Sequence, residues 1–321
     1  MKRNTLATAQ IAVVIPYYNA AAHLADVVRK LPTYINAVVI VDDCSVQLLP
    51  ADEVRAVVAP STELILLKNP VNKGVGGATQ LGMRYAIENG FDIVVKMDAD
   101  DQMDASYLPQ LLKPLFKGQA EMTKGNRFRD LQALQRMPFV RRMGNLGLSF
   151  LTKMATGYWN NFDFNNGYLA VKTSVLKRVD FSKLSERYFF ETSLIAQLYF
   201  QKARIKDIAM PAIYGDEKSS MQVWNMPLVF SIRLLKAFVK RIAKEYFLYD
   251  FNIGSIYLLA GFPALIFGFV FGLVEWSHYR ALGVPAPTGT IMISVLPIII
   301  GFQLVLQAIQ YDILQSPKSK A

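Results

Sequence analysis

The sequence predicts an α/β domain followed by a membrane anchor, and three observations lead there. Short β-branched runs alternate with helical patterns through the first part of the chain. Three polar clusters stand where predicted strands run out. Two long uncharged apolar segments then follow in tandem toward the C-terminus.

Ile11-Ala-Val-Val-Ile15 reads as a buried strand, and Ala20 to Leu31 as a helix that Pro32 stops. Ala37 to Val41 and Glu63 to Leu67 are the next strands. Gly76 to Asn89 is a helix closed by Gly90, and Phe91 to Met97 is the fourth strand. Strand–helix alternation implies parallel pairing with right-handed crossovers, which gathers ligands at the carboxyl ends of the strands. Pro16-Tyr-Tyr-Asn19, Asp42-Asp43 and Asp98-Ala-Asp100 all fall at such ends. Residues 119–212 add strands at 121–124 and 168–171 and a helix over 184–201, the acceptor half of the same domain.

Leu228, Ile232, Leu235, Val239, Ile242 and Tyr246 recur at helical spacing, with Arg233, Lys236, Lys240 and Lys244 on another face. A basic amphipathic helix just before an apolar segment suits the membrane interface. Ile253 to Val274 and Thr288 to Tyr311 carry no charged side chain, and each exceeds the roughly 20 residues that cross a bilayer as helix. The expected domains are 1–222, an interfacial region 223–250, and a membrane domain 251–321 with spans near 253–274 and 289–311.

The chain has 321 residues, 52% of them hydrophobic, and a net charge of +10. The basic surplus lies beside the spans, at Arg233, Lys236, Lys240, Arg241 and Lys244 before the first and at Lys318 and Lys320 after the second. That placement argues against a nucleic-acid partner and for anionic lipid headgroups and phosphorylated substrates. Positive flanks stay cytoplasmic. A multi-pass cell-membrane protein is therefore expected, with both termini and the α/β domain in the cytoplasm. The outer loop, 275–287, has only Glu275 and Arg280 as full charges. Cys44 is the single cysteine, so no internal disulfide forms. The run Ile11–Ile15 is too short for the apolar core of a secretory signal.

Asp98-Ala-Asp100 offers hard oxygens, which suit Mg²⁺ or Mn²⁺ together with substrate phosphates. Asp42 and Asp43 can accept the imide N–H of uracil or the N–H groups of guanine, while Ser45 beside them equally suits a turn cap. Asn69-Pro-Val-Asn-Lys73-Gly74-Val-Gly-Gly-Ala78 opens a helix, where glycines admit close backbone approach and free N–H groups favour anions. It matches neither the dinucleotide fingerprint nor the P-loop. Asn160 to Gly167 is dense in hydrogen-bonding side chains and reads as an acceptor-pocket lining or as a turn-rich loop. His23 and His278 have no partner at ligand spacing.

In this order, Val13-Val-Ile-Pro-Tyr-Tyr-Asn19, Val41-Asp-Asp-Cys-Ser45, Asn72-Lys-Gly-Val-Gly-Gly-Ala78 and Asp98-Ala-Asp-Asp-Gln102 resemble the family 2 inverting glycosyltransferases of the GT-A fold. The resemblance implies that Asp98 and Asp100 hold the divalent ion against a nucleotide-sugar diphosphate. It makes Gln102 a further metal ligand, as in the dolichol-phosphate mannose synthase branch. Asp43 and Asp42 would read the base, Pro16 and Tyr18 would wall the nucleotide pocket, and Lys73 and Gly74 would line the donor site. The polyprenyl-phosphate branch has Gly-Ser-Arg where this chain has Gly125-Asn126-Arg127. Arg127, with Arg141 or Arg142, then resembles the pair that clamps a lipid phosphate, for which a guanidinium fork is suited. Lys218 is a further candidate phosphate contact, although it precedes its serine where the branch has the reverse order. Glu191 stands where some members carry an acceptor-side base, and it equally fits a helix-start carboxylate.

The resemblance thus implies a membrane-bound transferase that moves a sugar from a UDP- or GDP-sugar to a polyprenyl phosphate. The alternative is extension of a lipid-linked saccharide through a sugar hydroxyl, with Glu191 as base. A binding protein with a degenerate transferase domain is disfavoured by the intact Asp98, Asp100 and Gln102. A processive synthase is disfavoured by the missing Gln-x-x-Arg-Trp. The sequence leaves homo-oligomerisation open.

Overall fold

The computed structural model describes residues 8–129, 139–211 and 226–319. The chain divides into two compact units, one running up to Leu235 with the tail from Pro317, the other Lys236–Ser316.

The first unit is built on a seven-stranded mixed sheet. Its strands are β1 (Ile11–Tyr17), β2 (Ala37–Asp42), β3 (Glu63–Lys68), β4 (Ile93–Lys96), β5 (Met122–Asn126), β6 (Leu169–Lys172) and β7 (Ile205–Ala209), in the order β3-β2-β1-β4-β6-β5-β7. The first four pair in parallel, as the alternation requires. Strand β6 is antiparallel to both of its neighbours, β4 and β5. The chain re-enters the sheet at the carboxyl ends of those strands, where Leu169 pairs with Lys96 and with Lys124. The loop before β6 is thereby delivered to the same edge as Asp98.

The longer helices that flank the sheet are α1 (Ala21–Arg29), α2 (Ala51–Val57), α3 (Val75–Glu88), α4 (Leu108–Phe116), α5 (Phe139–Thr156) and α6 (Phe190–Tyr199), with a single helical turn at Thr173–Leu176 after β6. Alternate residues of each strand feed different faces. Val14, Val39, Val41 and Val94 join Met83, Phe190, Leu194 and Tyr199 in one core. Val13, Ile15, Val38, Ile40 and Val95 join Leu24, Val27, Leu108, Leu111 and Leu112 in the other. Both faces of β1 and β2 are therefore dry, which explains their unbroken apolar runs. Helix α6 starts later than the expected 184, because Ser185–Arg187 runs irregularly against the start of α3. Helix α7 (Met226–Ala243) carries exposed Ile232, Leu235 and Val239 and buried Leu234.

The second unit contains two helices long and apolar enough to cross a membrane, α8 (Ile253–Leu282) and α9 (Thr288–Leu314). They form an antiparallel hairpin packed through small residues, since a Cβ on Gly301 would lie 2.8 Å from the Gly261 carbonyl and one on Gly268 2.7 Å from that of Ser294. Ser294 Oγ donates to the Gly268 carbonyl at 3.0 Å. The connection is shorter than the expected 275–287: α8 continues through Glu275 and Arg280, and left-handed Gly283 ends it, leaving 283–287. Arg241, read from sequence as a free basic flank, is instead buried at 2% exposure. Its Nη1 and Nη2 donate to the Asp312 carboxylate at 2.7 and 2.8 Å, and Tyr246 Oη adds a third bond at 2.8 Å. A buried guanidinium needs such a partner, because desolvation alone would exclude it.

Candidate active site

The carboxyl ends of β1, β2 and β4 converge as expected. Asn19 Oδ1 accepts the N–H groups of Val46 and Gln47, both at 3.0 Å, and its own N–H donates to Ser45 Oγ at 3.1 Å. The loop after β1 is thus stitched to the loop after β2, with Pro16 at the end of β1 and Tyr18 half exposed beside it. Asn19, Cys44, Asp101 and Asp163 all have positive φ and lie in the loops of this edge. Asn and Asp enter that region through local side-chain bonds, whereas Cys44 is strained there.

Asp42 accepts the Ser45 N–H at 2.9 Å and pairs with Lys68 at 3.5 Å. Asp43 is buried, and its carboxylate accepts from Asn69 Nδ2 at 2.7 Å, Lys73 N–H at 3.0 Å and Gly74 N–H at 2.6 Å. Asp43 therefore anchors the Asn69–Gly74 loop. The Gly77 N–H donates to the Glu186 carbonyl at 2.8 Å. The expectation of free N–H donors at this helix start fails at Lys73, Gly74 and Gly77, since protein oxygens already hold all three. The glycines serve close approach of another kind: a Cβ on Gly74 would lie 2.9 Å from the Glu186 carbonyl, and one on Gly76 2.5 Å from that of Ser185.

Asp98 and Asp100 follow β4, both partly exposed, with Gln102 in the same turn. Asp100 Oδ1 accepts the Gln102 N–H at 3.1 Å. Asp101 pairs outward with Lys30. Asp98 Oδ1 accepts from Lys96 Nζ at 2.8 Å, and the same ammonium lies 3.0 Å from Glu191 Oε1. Lys96 is only 1% exposed. Burial pulls its pKa down, but Asp98 and Glu191 outweigh that and hold it above the ordinary lysine value, so it is charged. Sequence reasoning passed over this lysine; its signal was a charge inside an otherwise apolar strand.

Among the described residues no group of three or more His, Cys, Asp or Glu side chains forms a cage for an ion. Two carboxylates and an amide oxygen in one partly open turn still fit Mg²⁺ or Mn²⁺, which take one or two protein carboxylates and complete their shell with phosphate oxygens and water.

The acceptor side is set by the loop before β6. Arg127 donates from Nε and Nη2 to the two oxygens of Asp163, each at 2.8 Å. The forked face expected to grip a lipid phosphate thus grips Asp163. Burial alone would raise the Asp163 carboxyl; the hydrogen bonds and charge of Arg127, with Lys124, hold it below its usual value. Lys124 is fully buried and donates to the Asp163 carbonyl at 2.9 Å and to the Phe162 carbonyl, with Asp207 at 3.4 Å. Asn165 Oδ1 accepts from Thr192 Oγ1 at 3.0 Å, tying this loop to α6 next to Glu191. Arg141 and Arg142 lie in the first turn of α5, and their side chains fall outside the described residues, as does all of Lys218.

Gly167 closes the loop against the carboxylates: a Cβ there would stand 2.4 Å from Lys96 Nζ and 2.8 Å from Asp98 Oδ2. Gly167→Ala is expected to displace Asp98 and cut sugar-transfer activity by about 10- to 100-fold, the usual cost of disturbing the support of a ligand. Initial rates beside a thermal melt check this; an unchanged rate would mean that Asp98 needs no such packing.

The chain is 29% identical over 234 residues to the UDP-N-acetylglucosamine–dolichyl-phosphate N-acetylglucosaminyltransferase of Methanococcus voltae, covering 69% of this chain and 92% of that relative. It is 28% identical over 201 residues to the undecaprenyl-phosphate mannosyltransferase of Micrococcus luteus, covering 61% and 79%. Its fold matches glucosyl-3-phosphoglycerate synthase of Mycobacterium tuberculosis, solved with Mn²⁺, UDP and glucosyl-3-phosphoglycerate, at a TM-score of 0.52 and 15% identity over 73% of this chain and 80% of that one. The likeness to that synthase supports the GT-A arrangement of the sheet and nothing finer. The model of glycosyl transferase family 2 matches residues 12–180, from β1 past β6 and through every strand-end cluster described above, so the chain belongs to that family and is a glycosyltransferase.

Proposed function

We propose that this enzyme moves a sugar, with inversion, from a UDP- or GDP-sugar to a polyprenyl phosphate at the cytoplasmic face of a membrane. The observation that carries the reading is the likeness to relatives named for transfer to dolichyl and undecaprenyl phosphates, on a chain that also has two bilayer-length apolar helices. Exposed Ile232, Leu235 and Val239 with Arg233, Lys236 and Lys240 support an interfacial α7. With Arg241 matched by Asp312, the cytoplasmic orientation rests on the remaining lysines and Arg233.

Asp98, Asp100 and Gln102 would hold Mg²⁺ or Mn²⁺, which when bound neutralises charge on the departing diphosphate. Pro16, Tyr18, Asp42 and Asp43 would shape the nucleotide side, Asp43 by fixing the loop that carries Lys73 and Gly74. Arg127, Arg141, Arg142 and Lys218 would supply positive charge for the acceptor phosphate. Such an acceptor is anionic at neutral pH and needs no base to attack.

The test offers purified protein labelled UDP- and GDP-sugars, Mn²⁺ and two lipids, undecaprenyl phosphate and an undecaprenyl-diphosphate saccharide. Label is expected in the phosphate lipid with the anomeric configuration inverted, and a chelator should stop it. Transfer to the saccharide alone would overturn the acceptor assignment.

A further inference from the structure

Lys96 is shared. Its ammonium lies 2.8 Å from Asp98 and 3.0 Å from Glu191, with Gly167 packed over the cluster. Glu191 is 5% exposed, so both its charge and that of Lys96 are shielded from water. Buried charges persist when paired, and interactions between them are strong because little solvent screens them. The three charges come from separate elements: β4 supplies Lys96, the turn after it supplies Asp98, and α6 supplies Glu191.

We propose that Glu191 is a positioning residue for the donor-side cation: by sharing Lys96 it loosens that ammonium's hold on Asp98, leaving the Asp98 carboxylate available to a divalent ion. The inference rests on the metal-dependent reading above and goes beyond it, because it removes Glu191 from the acceptor chemistry. A carboxylate held by a buried ammonium is an internal counter-ion, and the transfer then suits an acceptor that arrives ionised. Without Glu191 the whole charge of Lys96 would fall on Asp98 and compete with the divalent ion for the same oxygens. Asn165 and Thr192 fix the distance, since their 3.0 Å bond joins the loop over Asp98 to the helix that carries Glu191.

The test uses the full-length protein in detergent with Mn²⁺ as probe, its binding read by water-proton relaxation in the presence of UDP. Glu191→Gln keeps the shape and a hydrogen-bond acceptor for Lys96. It is expected to raise the Mn²⁺ Kd by about tenfold or more, the scale of lost support around a metal ligand. At saturating Mn²⁺, kcat should stay within about threefold, because the transition state itself has lost no contact. Lys96→Met combined with Glu191→Gln removes both the competitor and its counter-ion, and the Mn²⁺ Kd should return toward that of the wild type. A collapse of kcat with an unchanged Mn²⁺ Kd would overturn the proposal and restore Glu191 as a base. A double variant as weak as Glu191→Gln alone would also overturn it. Wild-type protein that binds no Mn²⁺ would remove the metal reading itself, a result separable from either of these.

Discussion

Asp100→Ala is expected to lower sugar transfer by roughly a thousandfold, on the scale of losing a charge-stabilising group at a reacting centre. Asp98 already shares Lys96, so part of its charge is matched within the protein. Asp100 Oδ1 accepts the backbone N–H of Gln102. Asp100 would supply the second of the two carboxylates that the turn after β4 offers a divalent ion. Removing it also releases the turn around Asp101, whose φ is 56°. Asp100→Asn separates the two effects, because the amide oxygen can still accept the Gln102 N–H while the charge is gone. If charge is what matters, Asn should be nearly as inactive as Ala, and Mn²⁺ titrations should show weak binding in both. An active Asn variant would make Asp100 a turn cap and take the metal site away from this edge. Thermal melts should be nearly unchanged, since the side chain is partly exposed.

The strand ends were legible because buried parallel strands announce themselves as unbroken apolar runs, and polar residues directly after them have one edge to occupy. Asp42, Asp43, Asp98 and Asp100 were found on that logic. The direction of β6 was not legible: Leu169-Ala-Val-Lys172 has the same local pattern in either orientation, and only the path of the preceding loop decides it. Gly74 and Gly76 signalled a close approach correctly, but a backbone carbonyl and a phosphate oxygen ask the same thing of a glycine. What approaches is the segment Ser185–Arg187. Lys96, Lys124 and Arg241 share a different reason. Each is a charge whose partner lies far along the chain, at Glu191, Asp207 and Asp312, and no periodicity links such pairs.

Asp207→Ala is expected to destabilise the transferase unit by about 3 kcal/mol, the low end for stripping a buried charge of its partner. Asp207 accepts from Asn161 Nδ2 at 2.8 Å, the Phe162 N–H at 2.8 Å and Asn126 Nδ2 at 3.0 Å, besides pairing with Lys124. Truncation takes from the buried Lys124 ammonium the carboxylate it pairs with and unties the loop that presents Asp163 to Arg127. For a unit of this size the melting temperature should fall by about 6–12 °C. Activity should fall with it, because the same loop carries Gly167 to Asp98. Lys124→Met exposes the reciprocal cost, a buried carboxylate without its cation. Lys124→Met with Asp207→Ala should then cost less than the two single changes added, since neither charge is left alone. Strict additivity would show that the pair is incidental. Acid should act on the same loop through Asp163, whose folded pKa is depressed. Its contribution is fully present above the unfolded value of about 3.9 and is lost as pH falls from there through the folded value. Melts of the wild type should therefore weaken below about pH 4, and those of Arg127→Met should weaken less, because the group that depresses Asp163 is gone.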